Sequence, residues 1–151
     1  MALKTDYKDA MCDGARKYRI TTNPDGTIGL IDVTNYTQEG DRFGANDINA
    51  VNTEVNKMQN TVVVTLPGSG WSASAPYSQK VAVPGIKESD NPEVHLYIPK
   101  DLDAATVKLR QKLTGMITDG ETENGYVTLY CGAKKPTADF AVLLKGVSMN
   151  G

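Results

Sequence analysis

The residues of this chain that could do chemistry are few and lie far apart in the sequence. There is one histidine, His95, and there are two cysteines, Cys12 and Cys131. A histidine can act as a general base, but no GxSxG nucleophile elbow accompanies this one. His95 sits in a stretch that alternates like a strand, which favours an exposed strand position. One histidine and two distant thiols also fall short of the ligand set that a zinc site needs.

Two acidic stretches could bind a cation or transfer protons. The segment 119–125 (DGETENG) is rich in oxygen ligands, but an EF-hand loop needs glycine at its sixth position, where this segment has Asn124. We therefore predict a solvated turn there. Asp101 and Asp103 are better explained as the N-cap and first-turn residues of a short helix than as paired catalytic carboxylates. These readings together predict that the chain is not an enzyme and uses no cofactor and no metal.

Trp71 and Tyr77 form a third candidate site, in or beside a loop rich in glycine, serine and alanine. An exposed pair of aromatic rings could stack on a sugar, which would make both residues ligand contacts. A single tryptophan in a small β domain can instead anchor the core. The sequence leaves both interpretations open.

Composition limits the classes of partner. The chain has 151 residues, enough for one ordinary domain and an appendage. Sixteen basic residues face eighteen acidic ones, and no basic stripe indicates a nucleic-acid surface. The longest apolar runs are strand-sized, well below the roughly 20 residues of a membrane span, so no membrane insertion is expected. The N-terminus lacks the apolar centre of a signal peptide, which predicts assembly in a cytoplasm with reduced thiols.

The elements that position these residues are organised around one predicted helix, over residues 45–60. Its apolar residues are Ile48, Val51, Val55 and Met58, at spacings of three, four and three. This is the narrow a/d stripe of a coiled coil. Two heptads are too short to be stable alone in water, so the helix needs copies of itself or a neighbouring domain.

The residue types along this stripe predict the number of copies. β-branched residues at both a and d positions favour three strands, and only Met58 departs from that pattern. We therefore predict a homotrimer. Asn52 lies beside the stripe and either bonds to a partner or belongs to a solvated polar face. It completes the predicted oligomer interface of Ile48, Val51, Asn52, Val55 and Met58.

The flanking segments are predicted to be β. Residues 17–33 contain two extended runs around the turn Asn23-Pro24-Asp25-Gly26, which indicates a hairpin. After Asn60 several short runs alternate between apolar and polar residues. A helix over 102–113 interrupts them and should pack through Leu109 and Leu113.

The predicted fold class is therefore mostly β. An N-terminal attachment segment with a β-hairpin spans 1–44, and the oligomerisation helix spans 45–60. An antiparallel β-sandwich of six or seven strands with one inserted helix spans 61–151.

Several motifs resemble those of phage and prophage tail-associated structural proteins of Gram-positive bacteria. In the N-terminal third the similarity is carried by Arg16-Lys17-Tyr18, NPDGT at 23–27, Asp32-Val33-Thr34, Gly40-Asp41 and the run from Phe43 to Asn52. In the remainder it is carried by Gly70-Trp71, Pro76-Tyr77, Val83-Pro84-Gly85, the strand 126–130 and Lys135-Pro136-Thr137.

The resemblance implies a virion structural protein and carries no catalytic residues. It implies a short tail fibre, baseplate or decoration component that is assembled in the bacterial host cytoplasm and ends in the virion. The implied partners are further copies of the chain and other phage structural proteins. A carbohydrate-binding or host-adhesion module that contacts a host-surface glycan through Trp71 and Tyr77 is the alternative.

Overall fold

The computed structural model describes residues 3–148, so the ends of the predicted segments 1–44 and 61–151 lie outside the described residues. The chain divides into two compact units, one up to Val51 and one from Asn52. Ten strands and two α-helices are defined in the described residues, and every strand pair is antiparallel. The predicted mostly-β fold class is confirmed.

The first unit contains two small separate sheets. Its strands are β1 (Met11–Cys12), β2 (Tyr18–Thr22), β3 (Ile28–Asp32) and β4 (Tyr36–Gln38). β2 pairs with β3 as the predicted hairpin, and β1 pairs with β4. The sequence did not indicate β1, which forms only through its distant partner strand.

The hairpin turn follows from its residue types. The Gly26 amide donates to the Asn23 carbonyl at 3.0 Å, and the Asp25 carboxylate accepts from the Thr27 amide at 3.0 Å and the Thr27 hydroxyl at 2.7 Å. Gly26 has a φ of 83°, a left-handed conformation that glycine adopts without steric cost. The turn therefore sets the register of β2 and β3.

The helix α1 (Ala45–Gln59) matches the predicted helix closely. Its first half belongs to the first unit and its second half to the second unit. No residue of α1 is buried, so this helix contributes nothing to a core.

The second unit is the predicted sandwich, with six strands in two sheets. The strands and the second helix are β5 (Thr61–Leu66), β6 (Tyr77–Ala82), β7 (Glu93–Leu96), α2 (Ala104–Thr114), β8 (Asp119–Glu123), β9 (Tyr126–Cys131) and β10 (Phe140–Lys145). One sheet has the order β5-β10-β7 and the other has the order β6-β9-β8. Alternate apolar residues of both sheets meet in one core, represented by Leu66, Leu129, Val142 and Leu144, which are all fully buried.

Three local predictions in this unit are wrong in part. The acidic segment predicted as a solvated turn is the edge strand β8, with only Asn124 and Gly125 in the turn. The Thr122 hydroxyl donates to the Asp90 carbonyl at 2.8 Å, so contacts distant in sequence override the poor strand propensity of this segment. Asp103, and not Asp101, caps α2. In α2, Leu113 is buried as expected but Leu109 stays exposed.

Candidate oligomer interface

The start of α1 is fixed by a carboxylate inside its first turn. The Ile48 amide donates to the Gly44 carbonyl at 3.2 Å, and the Gly44 amide donates to the Asp47 carboxylate at 2.9 Å. Gly44 is therefore the capping position of the helix. Asp47 is at the third helical position and accepts a hydrogen bond from the amide of the capping residue, as the acidic residue of a capping box does.

A second residue holds the same carboxylate. The Tyr7 hydroxyl donates to Asp47 at 2.6 Å, and this bond, followed by the one from Gly44, lowers the pKa of Asp47. The Tyr7 ring meets the Phe43 ring edge-on at 5.4 Å between centroids. Phe43 thus contacts a residue that is far away in the sequence.

The last turns of α1 are held by a partly buried ion pair within the second unit. The Lys57 ammonium lies 2.8 Å from the Asp90 carboxylate, whose side chain is fully buried. The same carboxylate accepts from the Ser148 amide at 2.7 Å, the Ser148 hydroxyl at 2.9 Å and the Lys87 amide at 3.1 Å. Asp90 therefore joins the helix to two loops of the sandwich.

Opposing effects set the ionisation of Asp90. Burial raises the pKa of the carboxyl, but the bond from Lys57 and those from Ser148 and Lys87 lower it further. The net result is a pKa below the ordinary value. The carboxylate form is therefore stabilised by its partners in spite of its desolvation.

Asn60 adds a second attachment directly after the helix. Its side-chain amide donates to the Val147 carbonyl at 3.1 Å, and its own carbonyl accepts from the Gly146 amide at 3.0 Å. The last turns of α1 are thereby held at a defined position on the sandwich.

The predicted interface residues lie on one face of α1 and remain open to solvent. Ile48, Val51 and Val55 are 40–45% exposed and Met58 is 66% exposed. Asn52 is exposed beside them. Contacts of the described chain thus leave the a/d stripe available to a partner.

A shallow groove of about 290 Å³ adjoins the end of this stripe within the second unit. Met58 lines it, together with polar residues that include Glu54, Glu93 and Lys145. A partner side chain that covered Met58 would therefore meet charged groups at the rim.

The hairpin presents a second apolar surface. Ile20 lies opposite Leu30 and Thr22 lies opposite Ile28, so Ile20, Ile28 and Leu30 share one face of the ribbon. We call these three residues the hairpin face. They are 68–71% exposed, the highest values among the large apolar side chains of the described residues. The two-residue spacing of Ile28 and Leu30 in β3 was the signal for it.

The aromatic pair does not form an exposed platform. Trp71 is only 5% exposed and belongs to the core of the sandwich. Tyr77, in β6, is partly buried and packs against that core. Burial removes the open indole face that stacking on a sugar requires, so the structure contradicts a ligand contact at Trp71. The core-anchor interpretation describes Trp71 correctly.

The remaining reactive residues are dispersed. The His95 ring nitrogen Nε2 lies 2.8 Å from the Glu93 carboxylate on the exposed strand β7. Cys12 and Cys131 are free thiols, and burial raises the pKa of Cys131. Within residues 3–148, no three histidine, cysteine or acidic side chains are grouped closely enough to hold a metal ion. Neither helix described has the length and apolar character to cross a membrane.

No family model matches this chain, and its comparison with curated proteins and with solved structures gave no match. The surfaces described above are therefore the basis for an inference about function.

Proposed function

We propose that this chain is a virion structural protein, a short tail fibre, baseplate or decoration component of a phage or phage-like particle. In this proposal it assembles as a homotrimer through the exposed stripe of α1. The sequence motifs that resemble those of tail-associated proteins support a role in a phage-like particle. The geometry of α1 supports assembly into a homotrimer.

One observation carries the proposal: an a/d stripe that stays exposed on a helix with defined ends. Gly44 and Asp47 define its start, and Lys57 and Asn60 attach its end. Covering four side chains that are about half exposed contributes on the order of 3–6 kcal/mol per chain. Because their helix is already ordered, less of this free energy is spent on chain entropy than in an isolated peptide.

The direct test is the mass of the purified full-length chain, measured by light scattering over a concentration series. We expect a trimer that dissociates on dilution. The double variant V51D/V55D places two carboxylates in each copy of the stripe, and like charges at a shared axis should release monomers.

A matched control carries the same added charge on the other side of α1. Ala50 and Asn56 are exposed and lie off the stripe, so A50D/N56D should remain trimeric. Wild-type protein that stays monomeric at the highest concentration, or equal dissociation of both double variants, would refute assembly through the stripe.

The presence of the chain in a phage-like particle is tested separately. Antibodies against the purified chain should label phage-like particles from the source organism in electron micrographs, at regular positions on the tail or head. Mass spectrometry of washed particles should find the chain in multiples of three copies. Particles that lack the chain would refute a virion role, even if the protein is a trimer in solution.

A further inference from the structure

We propose that the hairpin face, formed by Ile20, Ile28 and Leu30, is a second self-association surface, covered in the assembly by the hairpins of neighbouring copies. The inference rests on the proposed homo-oligomer and names a further part of its interface. It requires that the hairpin face is exposed and that its chemistry allows it to pack against the same face of another copy. It also requires that the helix stripe alone is too small for a specific interface.

The exposure of the hairpin face has no explanation within the part of the chain that the structure describes. Among the described residues, β2 and β3 pair only with each other, and the three residues of the hairpin face are each about 70% exposed. An isolated two-stranded hairpin is marginally stable in water and needs packing on one face. Within the described residues, nothing supplies that packing for this face.

The chemistry of the face suits a second copy of itself. Its centre is the cross-strand pair of Ile20 and Leu30, and its ends carry Tyr18 and Thr22. The one charged side chain on the face is Asp32, whose carboxylate already accepts from the Tyr36 hydroxyl at 2.6 Å and the Thr34 amide at 2.9 Å. Two copies can therefore meet at an apolar centre that contains no facing like charges.

The size of the helix stripe also favours a second surface on the same partner. A specific interface usually involves roughly 20–30 residues on each side. The stripe supplies four apolar residues and Asn52, so it falls far short of that number. The hairpin face is the most exposed apolar cluster that remains, and a copy of the chain that binds the stripe brings its own hairpin with it.

Paired variants test the hairpin face without changing the preference for β structure. I20T/L30T replaces two apolar residues with threonine, which is also a good strand former. I31T makes the same kind of change on the opposite face of β3, where Ile31 is 43% exposed. By light scattering, we expect I20T/L30T to raise the concentration for half-assembly at least tenfold, and I31T to change it less than twofold.

Hydrogen exchange on the wild-type chain gives a second measurement that needs no variant to fold. The amides of 18–22 and 28–32 should exchange more slowly as the protein concentration rises through the assembly range. The amides of the pair β1–β4 serve as the internal reference.

The outcomes separate this inference from the proposed function. If V51D/V55D releases monomers but I20T/L30T leaves assembly unchanged and hairpin exchange is independent of concentration, the hairpin face takes no part in self-association. That result overturns the inference and leaves the homotrimer in place. A wild-type chain that is always monomeric overturns both.

Discussion

At the scale of single residues, Asp90 connects more parts of the second unit than any other described carboxylate. Its fully buried side chain forms an ion pair with Lys57 of α1. It also accepts hydrogen bonds from the Lys87 amide and from the amide and hydroxyl of Ser148. Replacing Asp90 with asparagine removes the charge but keeps the shape, which leaves the Lys57 ammonium without its counter-ion. We expect D90N to lower the free energy of unfolding by about 3 kcal/mol. Urea unfolding measures it, and D101N, at an exposed position, should change it by less than about 0.5 kcal/mol.

The ionisation of Asp90 also predicts a dependence on pH. Because its folded pKa lies below the ordinary 3.8, its stabilising contribution is complete above the unfolded pKa and is lost as the pH falls through the folded pKa. The stability difference between wild type and D90N should therefore be constant near neutrality and shrink below about pH 4. Urea unfolding at a series of pH values checks this. A difference that grows as the pH falls would show that the folded pKa is raised.

At the scale of elements, the two helices begin through different devices. α2 uses a conventional N-cap, since the Asp103 carboxylate accepts from the Ala105 and Thr106 amides, both at 2.9 Å, and from the Thr106 hydroxyl at 2.7 Å. We expect D103A to destabilise the sandwich by about 1 kcal/mol, as the loss of an N-cap usually does. Thermal unfolding followed by circular dichroism measures it. The comparison is D101A, and equal effects of the two variants would contradict the assignment of the cap.

The hairpin is the element most dependent on its turn. Gly26 has a left-handed backbone, and open space surrounds the position where a Cβ would lie. G26A should therefore cost roughly 1 kcal/mol through backbone strain alone, without a steric clash. Nuclear magnetic resonance contacts between β2 and β3 report the hairpin population, which should fall. The variant G44A, at a glycine without positive φ, should leave those contacts unchanged.

At the scale of the whole molecule, the surface proposed for assembly and the core of the sandwich are made of different residues. No residue of α1 is buried, whereas Trp71 lies in the core of the second unit. The V51D/V55D monomer should therefore keep its sandwich, with a melting temperature within a few degrees of wild type at matched low concentration. Trp71, the single tryptophan, reports this through its fluorescence. Loss of the folded Trp71 signal together with the oligomer would show that the stripe also supports the core.

The sequence by itself determined those features that depend on near neighbours. The a/d spacing from Ile48 to Met58 predicted α1 almost to the residue, because helical periodicity is a local property. Asn23-Pro24-Asp25-Gly26 determined the hairpin in the same way, through backbone preferences within four residues. Alternation in the segments of β6, β7, β9 and β10 was enough to predict a sandwich, since a two-residue period is also a local signal.

Only the tertiary structure decided the features that need a distant partner. The segment of β8 has the composition of a loop, and its strand exists through pairing with β9 and the bonds of Thr122. Trp71 became a core residue because the sandwich closes around it, which its glycine- and serine-rich surroundings did not indicate. The pairing of Lys57 with Asp90 joins residues far apart in the chain, and no spacing rule connects them. Burial and long-range bonding depend on how the whole chain packs, so only the folded structure shows that the helix stripe and the hairpin face stay open.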